Sequence, residues 1–309
     1  MRIVWLVLFL SFASPAWAGD KFAEAFEAYS KGDDARAYPV FLELARAGNI
    51  EAQYLLGKMY VSGRSIEPNF SEAQRWFERA AMQGHGAAAY TLGLMYAQGA
   101  GVPPDSVIAT DWYAVGARAG NPDAALALGL AYLLGDGTDR NPTEAARWFE
   151  EAAKLGSATA AYNLGVLYEA GPGEDGKGPP KNDAEAAKWF TQAAEGGHID
   201  AQFNLGVMYH DGVGVAQNAK KAVQWFEAAA LQGEPEACLL LARIYATGEG
   251  IERDPVEALA WLTLAEQKGR KDGELRQFLK GTLTPDQMPE VEKLVNARLA
   301  ALAPPSGTP

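Results

Sequence analysis

The residues in this chain that could do chemistry are few, and they return at a fixed interval. Gly-x-Gly loops such as Gly99-Ala100-Gly101 and Gly212-Val213-Gly214 resemble phosphate cradles, in which backbone N–H groups bind an anion. A dinucleotide cradle needs a strand before it. These loops instead lie between helical stretches and recur in almost every segment, so they read as turns. The histidines are His85, His198 and His210. Metal binding needs ligands that converge at suitable spacing, and none do in the sequence. His85 and His198 follow Gly84 and Gly197 at equivalent turns, which makes them features of a repeat. Carboxylates are plentiful, but they lie mostly on charged helix faces and single out no acid–base pair. No Ser or Cys stands in a nucleophile motif. The one cysteine, Cys238, leaves no internal disulfide to form; its apolar helical surroundings predict a buried side chain and not a reactive thiol. The reading is of no enzyme, with no catalytic residue, no cofactor and no metal.

The elements that carry these residues are set by an internal repeat. Tryptophans fall at Trp76, Trp112, Trp148, Trp189, Trp225 and Trp261, with spacings of 36, 36, 41, 36 and 36. Gly57, Gly93, Gly129, Gly165 and Gly206, with Ala242 last, keep the same register. So do Tyr60, Tyr96, Tyr132, Tyr168, Tyr209 and Tyr245. The single 41 marks a five-residue insertion, predicted to form an irregular Gly- and Pro-rich surface loop over 171–183.

Each unit reads as two helices. The first carries Ala-x-x-x-Leu-Gly-x-x-Tyr, as in Ala88 to Tyr96. Glycine inside a helix costs about 1 kcal/mol, so its recurrence there implies close approach of a neighbouring helix. A Gly-rich loop follows. The second helix opens with cap signals such as Asn141-Pro142 and Asp254-Pro255. Its apolar positions, as in Ala73, Trp76, Phe77, Ala80, Ala81 and Gly84, fall on one face. The opposite face alternates in sign through Glu144, Arg147, Glu150, Glu151 and Lys154. One hairpin cannot bury its own apolar face, whereas stacked copies can. The expected fold is all-α: an α-solenoid, a right-handed superhelix of about seven helix-turn-helix repeats.

The ends depart from the pattern. Residues 19–49 form a degenerate capping hairpin with Val40 in the tryptophan column, residues 50–270 hold six full repeats, and 271–303 hold capping helices. Thr284-Pro285-Asp286-Gln287 looks like a capping box opening a final helix, although Pro289 fits poorly one turn inside it. Residues 304–309 read as a tail without fixed structure. At the N-terminus, Arg2, the apolar run from Ile3 to Phe12 and Ala16-Trp17-Ala18 read as a signal peptide over 1–18, with Gly19 the first mature residue. That run is too short to span a bilayer, and no later segment is long and apolar enough. Lys and Arg total 27 against 39 Asp and Glu, a net charge of −12, which disfavours nucleic acid as a partner.

The first-helix unit, the Gly-x-Gly-Val loop and the Ala-x-x-Trp-[Phe/Tyr]-x-x-Ala-Ala-x-x-Gly unit resemble the Sel-1-like repeat family, a relative of tetratricopeptide repeats, over residues 20 to 270. The resemblance implies a protein-binding adaptor in a Gram-negative periplasm. A cysteine-rich branch of that family is linked to β-lactam binding and hydrolysis. The paired cysteines of that branch are absent here, so none of its catalytic residues carries over, and an exported hydrolase acting on envelope material or β-lactams stays as the alternative. In the tetratricopeptide architecture the concave face is one stripe of the first helices. Transferred through the Leu-Gly pair, that stripe is Tyr54, Lys58, Val61 and Ser62; Tyr90, Leu94 and Ala97; Leu126, Leu130, Leu133 and Leu134; Tyr162, Val166 and Glu169; Phe203, Val207 and His210; and Leu239, Arg243 and Ala246. Helical spacing alone leaves Leu130 and Val166 open between core and groove.

Overall fold

The computed structural model describes residues 16–64 and 66–302. The signal segment over 1–18 lies outside the described residues except for its last three positions, and the 304–309 tail lies outside them entirely. Among the described residues every regular element is helical. No helix among them is long and apolar enough to cross a membrane.

The chain packs as two compact units, Met1–Ala124 and Ala125–Pro309. The first contains α1 (Ala16–Ser30), α2 (Asp34–Arg46), α3 (Ile50–Ser62), α4 (Phe70–Met82), α5 (Gly86–Gln98), α6 (Ser106–Arg118) and the start of α7 (Pro122–Leu134). The second continues from α7 through α8 (Pro142–Lys154), α9 (Ala158–Ala170), α10 (Asp183–Glu195), α11 (Ile199–Asp211), α12 (Ala219–Ala230), α13 (Pro235–Thr247), α14 (Pro255–Gln267), α15 (Gly273–Thr282) and α16 (Met288–Leu302).

Side-chain caps fix where the helices begin. Asn69, Asp105, Asn141, Asn182, Asn218 and Asp254 each accept a backbone N–H at the start of a second helix. Pro142 and Pro255 stand at the first turn, as the sequence implied. The first helices of several units end on a left-handed glycine; Gly99, at φ +71°, takes a conformation that an L side chain resists.

The repeating glycine has a specific partner. A Cβ added at Gly165 would lie 2.7 Å from the Phe190 ring, and one at Gly206 would lie 2.6 Å from Phe226. Gly57 meets Phe77, Gly93 meets Tyr113 and Gly129 meets Phe149 in the same way. The last hairpin changes both positions together, to Ala242 and Leu262, each fully buried. Glutamine pairs, each with one buried member, tie successive hairpins. Gln83 donates to Gln53 at 2.8 Å, and Gln53 donates to the Ala45 carbonyl; Gln232, Gln202 and the Ala194 carbonyl repeat the bridge in the second unit. The solvated face of α8 carries the expected pairs, Arg147–Glu144 and Lys154 with Glu150 and Glu151.

Two local readings are refined. The final helix begins later than the capping box suggested: Pro285–Gln287 is a 3₁₀ turn in which the Gln287 side chain accepts the Thr284 N–H at 3.0 Å. Helix α16 then starts at Met288, so Pro289 falls in its first turn, where the missing N–H has no intrahelical partner to lose. The inserted loop has no helix or strand, yet it folds back on α8. Asp175 pairs with Arg140 at 2.9 Å, and the Gly178 N–H donates to Thr143 Oγ1 at 3.1 Å.

Candidate protein-binding face

In each first helix the Ala and Leu-Gly positions turn inward. In α9, Ala160, Ala161, Leu164 and Gly165 are buried. Tyr162 and Val166, each the residue after a buried one, fall at the margin of that face. In the first unit Tyr54, Tyr90 and Leu94 are half-buried, while Lys58, Val61, Ser62 and Ala97 are exposed. In the second unit Leu126, Leu133, Tyr162, Val166, Phe203, Val207 and His210 are half-buried. There Leu130 is 36% and Leu134 72% exposed, and Glu169 is exposed. Leu130 and Val166 are therefore not interior residues.

The last hairpin departs from the transferred stripe. Leu239 (6% exposed) and Ala246 (2%) are core, and only Arg243 reaches the surface. That surface is already engaged. The Arg243 guanidinium pairs at 2.9 Å with Asp272, which also caps α15. The Leu275 N–H, and then Arg243, hold the Asp272 carboxyl below its usual range.

His85 and His198 prove to be helix caps. His85 Nδ1 accepts the Ala88 N–H at 3.1 Å, and His198 Nδ1 accepts the Ala201 N–H at 3.4 Å. Each ring also stacks on a stripe tyrosine, His85 on Tyr54 at 4.4 Å and His198 on Tyr162 at 4.3 Å. The signal was in the sequence: His85 and His198 share a column with Asn49, Asn121 and Ser157, which cap their own helices.

A cap of this kind is sensitive to pH, because only a neutral imidazole can accept at Nδ1. Burial lowers the His198 pKa below its usual 6.5, with Asp200 pulling the other way. A histidine with a depressed pKa stabilises the fold fully above its unfolded value and loses that contribution as pH falls through the folded one. The melting temperature of the second unit is expected to fall as pH drops below 6.5, and His198→Asn, which keeps a cap, to remove that part of the slope. His198→Ala is expected to cost about 1 kcal/mol at pH 8. An unchanged slope in His198→Asn would show that the acid sensitivity arises elsewhere.

Cys238 is buried, and burial pushes its thiol up to about 11. The Tyr245 hydroxyl donates to Glu227, whose carboxyl burial raises. An open cleft of about 520 Å³ beside α12 is lined by Lys220, Gln224, Tyr245, Glu252, Arg253 and Asp254, and Asp254 is committed to capping α14. Among the described residues no three His, Cys, Asp or Glu side chains are grouped to hold a metal ion.

Stacked helical hairpins of this kind define an α-solenoid repeat fold. The Sel1 repeat model matches residues 50–85, 86–121, 122–157, 158–198, 199–234 and 235–269, and the chain belongs to the Sel1 repeat family. Repeats of this family generally mediate protein–protein interactions. The structure is similar to c5321, a protective antigen present in uropathogenic Escherichia coli strains that displays an SLR fold, with 30% identity and a TM-score of 0.71. That match covers 93% of this chain but 62% of c5321. A Sel1 repeat protein from Oxalobacter formigenes is 30% identical with a TM-score of 0.68, over 80% of this chain and 99% of that one. No curated protein matches the chain.

Proposed function

We propose that this chain is an exported, non-catalytic adaptor of the bacterial periplasm that holds a partner protein or peptide against the stripe of its first helices. The carrying observation is the partial exposure of apolar side chains, Leu134 and Leu130 exposed and Val166 half-buried, on helices whose other face already supplies the core. Full burial of such a side chain contributes roughly 1.5–3 kcal/mol, and covering only its exposed part contributes a fraction of that, so several must act together in specific binding. Export rests on Arg2, the apolar run after it and Ala16-Trp17-Ala18.

The test is affinity capture from periplasmic extract with the wild-type chain and with Leu130→Gln plus Val166→Gln. These changes remove apolar contact without adding charge. The variant is expected to keep its helical circular dichroism and to lose the partner that the wild type retains. The same partner on a folded variant would place binding on another surface. Sequencing of the exported product is expected to begin at Gly19, and intact Met1 on a membrane-bound product would overturn export.

A further inference from the structure

In the middle hairpins the cations fall on the second helices, which carry carboxylates as well, whereas the outer first helices α3 and α13 hold Lys58 and Arg243. Second helices carry the cations: Arg75 and Arg79 on α4, Arg118 on α6, Arg147 and Lys154 on α8, Lys188 on α10, and Lys220 and Lys221 on α12. Helices α5, α7, α9 and α11 contain no Lys or Arg. Their charged side chains are carboxylates, apart from His210, which is held by Asp211 at 2.6 Å and by Glu249 at 3.7 Å.

On α9 and α11 those carboxylates border the apolar stripe. Glu169 follows Val166 by three residues, and Asp200 precedes Phe203 by three, so each is a neighbour on the same helix face. Both are exposed. Both also act on Tyr162: burial first, then Asp200 and Glu169, raise its phenol above the usual value. The face thus carries a half-buried apolar strip, Tyr162 and Val166 on α9 with Phe203 and Val207 on α11, the last two also packed on the core, and each helix adds an exposed carboxylate beside it.

We infer that the α9–α11 face takes a cationic amphipathic segment of a partner protein, with apolar side chains on the strip and Lys or Arg at Glu169 and Asp200. This rests on the adaptor reading and specifies its partner's chemistry. A second copy of this chain, itself at −12, is the wrong occupant, and so is a polyanion. Rim carboxylates of this kind act on association rate and on the choice of partner more than on the contact itself.

The test measures binding of the full chain to two fluorescent probes, a short amphipathic Leu/Lys peptide and its Leu/Glu counterpart. The Leu/Lys peptide is expected to bind and the Leu/Glu peptide not to. Glu169→Gln plus Asp200→Asn is expected to weaken Leu/Lys binding about fivefold at low salt, with the difference shrinking at high salt. Glu150→Gln plus Glu151→Gln, on the outer face of α8, is expected to change nothing, which separates the site from overall negative charge. Equal binding of both peptides, or no effect of the Glu169 and Asp200 changes, overturns the inference. If equal binding is then lost in Leu130→Gln plus Val166→Gln, the stripe still binds and only the charge preference falls. If that folded variant leaves all peptide binding intact, the stripe itself is excluded.

Discussion

Phe190→Ala is expected to lower the unfolding free energy by about 3–5 kcal/mol, the range for removing a fully buried aromatic ring. Phe190 has no exposed surface, and its ring occupies the space where a side chain on Gly165 would begin. Gly165→Ala puts a Cβ 2.7 Å from ring carbons, well inside ordinary van der Waals contact. Alanine gains about 1 kcal/mol of helix propensity over glycine, against an overpacking cost of about 1–3 kcal/mol. The net is a smaller loss than that of Phe190→Ala. The last hairpin, with Ala242 and Leu262 at the matching positions, shows how the two sites compensate. Gly165→Ala combined with Phe190→Leu should lose less than its single changes sum to, with a coupling of about 1–3 kcal/mol. Denaturant unfolding followed by circular dichroism measures the wild type, Gly165→Ala, Phe190→Leu and their combination, with Phe190→Ala alongside. Additive losses would mean that the glycine is not there to admit the ring.

That pairing shows what was legible in the sequence and what was not. The columns of Trp, Gly and Tyr gave the hairpins because a weak helical period, sampled at a 36-residue interval, becomes a strong one. The recurring glycine announced a close approach, but the partner ring lies about twenty residues on, and only the packed hairpin identifies it. The stripe was harder, because helical spacing says which residues share a face and not what covers that face. Leu126 and Leu239 hold equivalent positions, yet one is half-buried and the other buried. The hairpin of Leu239 is followed by α15, tied down through Asp272 and Arg243, and by α16. His85 and His198 were recognised as repeat features but not as caps, since the ordinary cap list is Ser, Thr, Asp and Asn and an imidazole accepts only when neutral.

Arg298→Ala is expected to cost about 2–4 kcal/mol and to release α16 from the second unit. Stacking leaves the last hairpin of any such array with an open apolar face, and some capping element must close it. Here α16 does so through Val291 and Val295, which share a core cluster with Trp261. Arg298 adds a polar anchor. Its guanidinium lies 3.8 Å from the centre of the Trp261 ring and pairs with Glu257 on α14. The side chains of Arg298 and Glu257 are only 15% and 23% exposed. Removing the arginine leaves the Glu257 charge largely desolvated and without its partner, a loss of about 3–5 kcal/mol for a fully buried pair and less for one that water still reaches. The stacked cation contributes about 1 kcal/mol more. Arg298→Lys should fall between, because an ammonium cannot lie flat on the indole and reach the carboxylate with a planar fork. Replacing both Arg298 and Glu257 with Met should recover most of the stability that Arg298→Ala loses, since no charge is then stranded. Hydrogen exchange reads the effect locally: amides of α16 and α14 should exchange faster in Arg298→Ala, while those of α3 to α6 stay at the wild-type rate. Unchanged exchange in α16 would mean that Val291 and Val295 alone hold the cap.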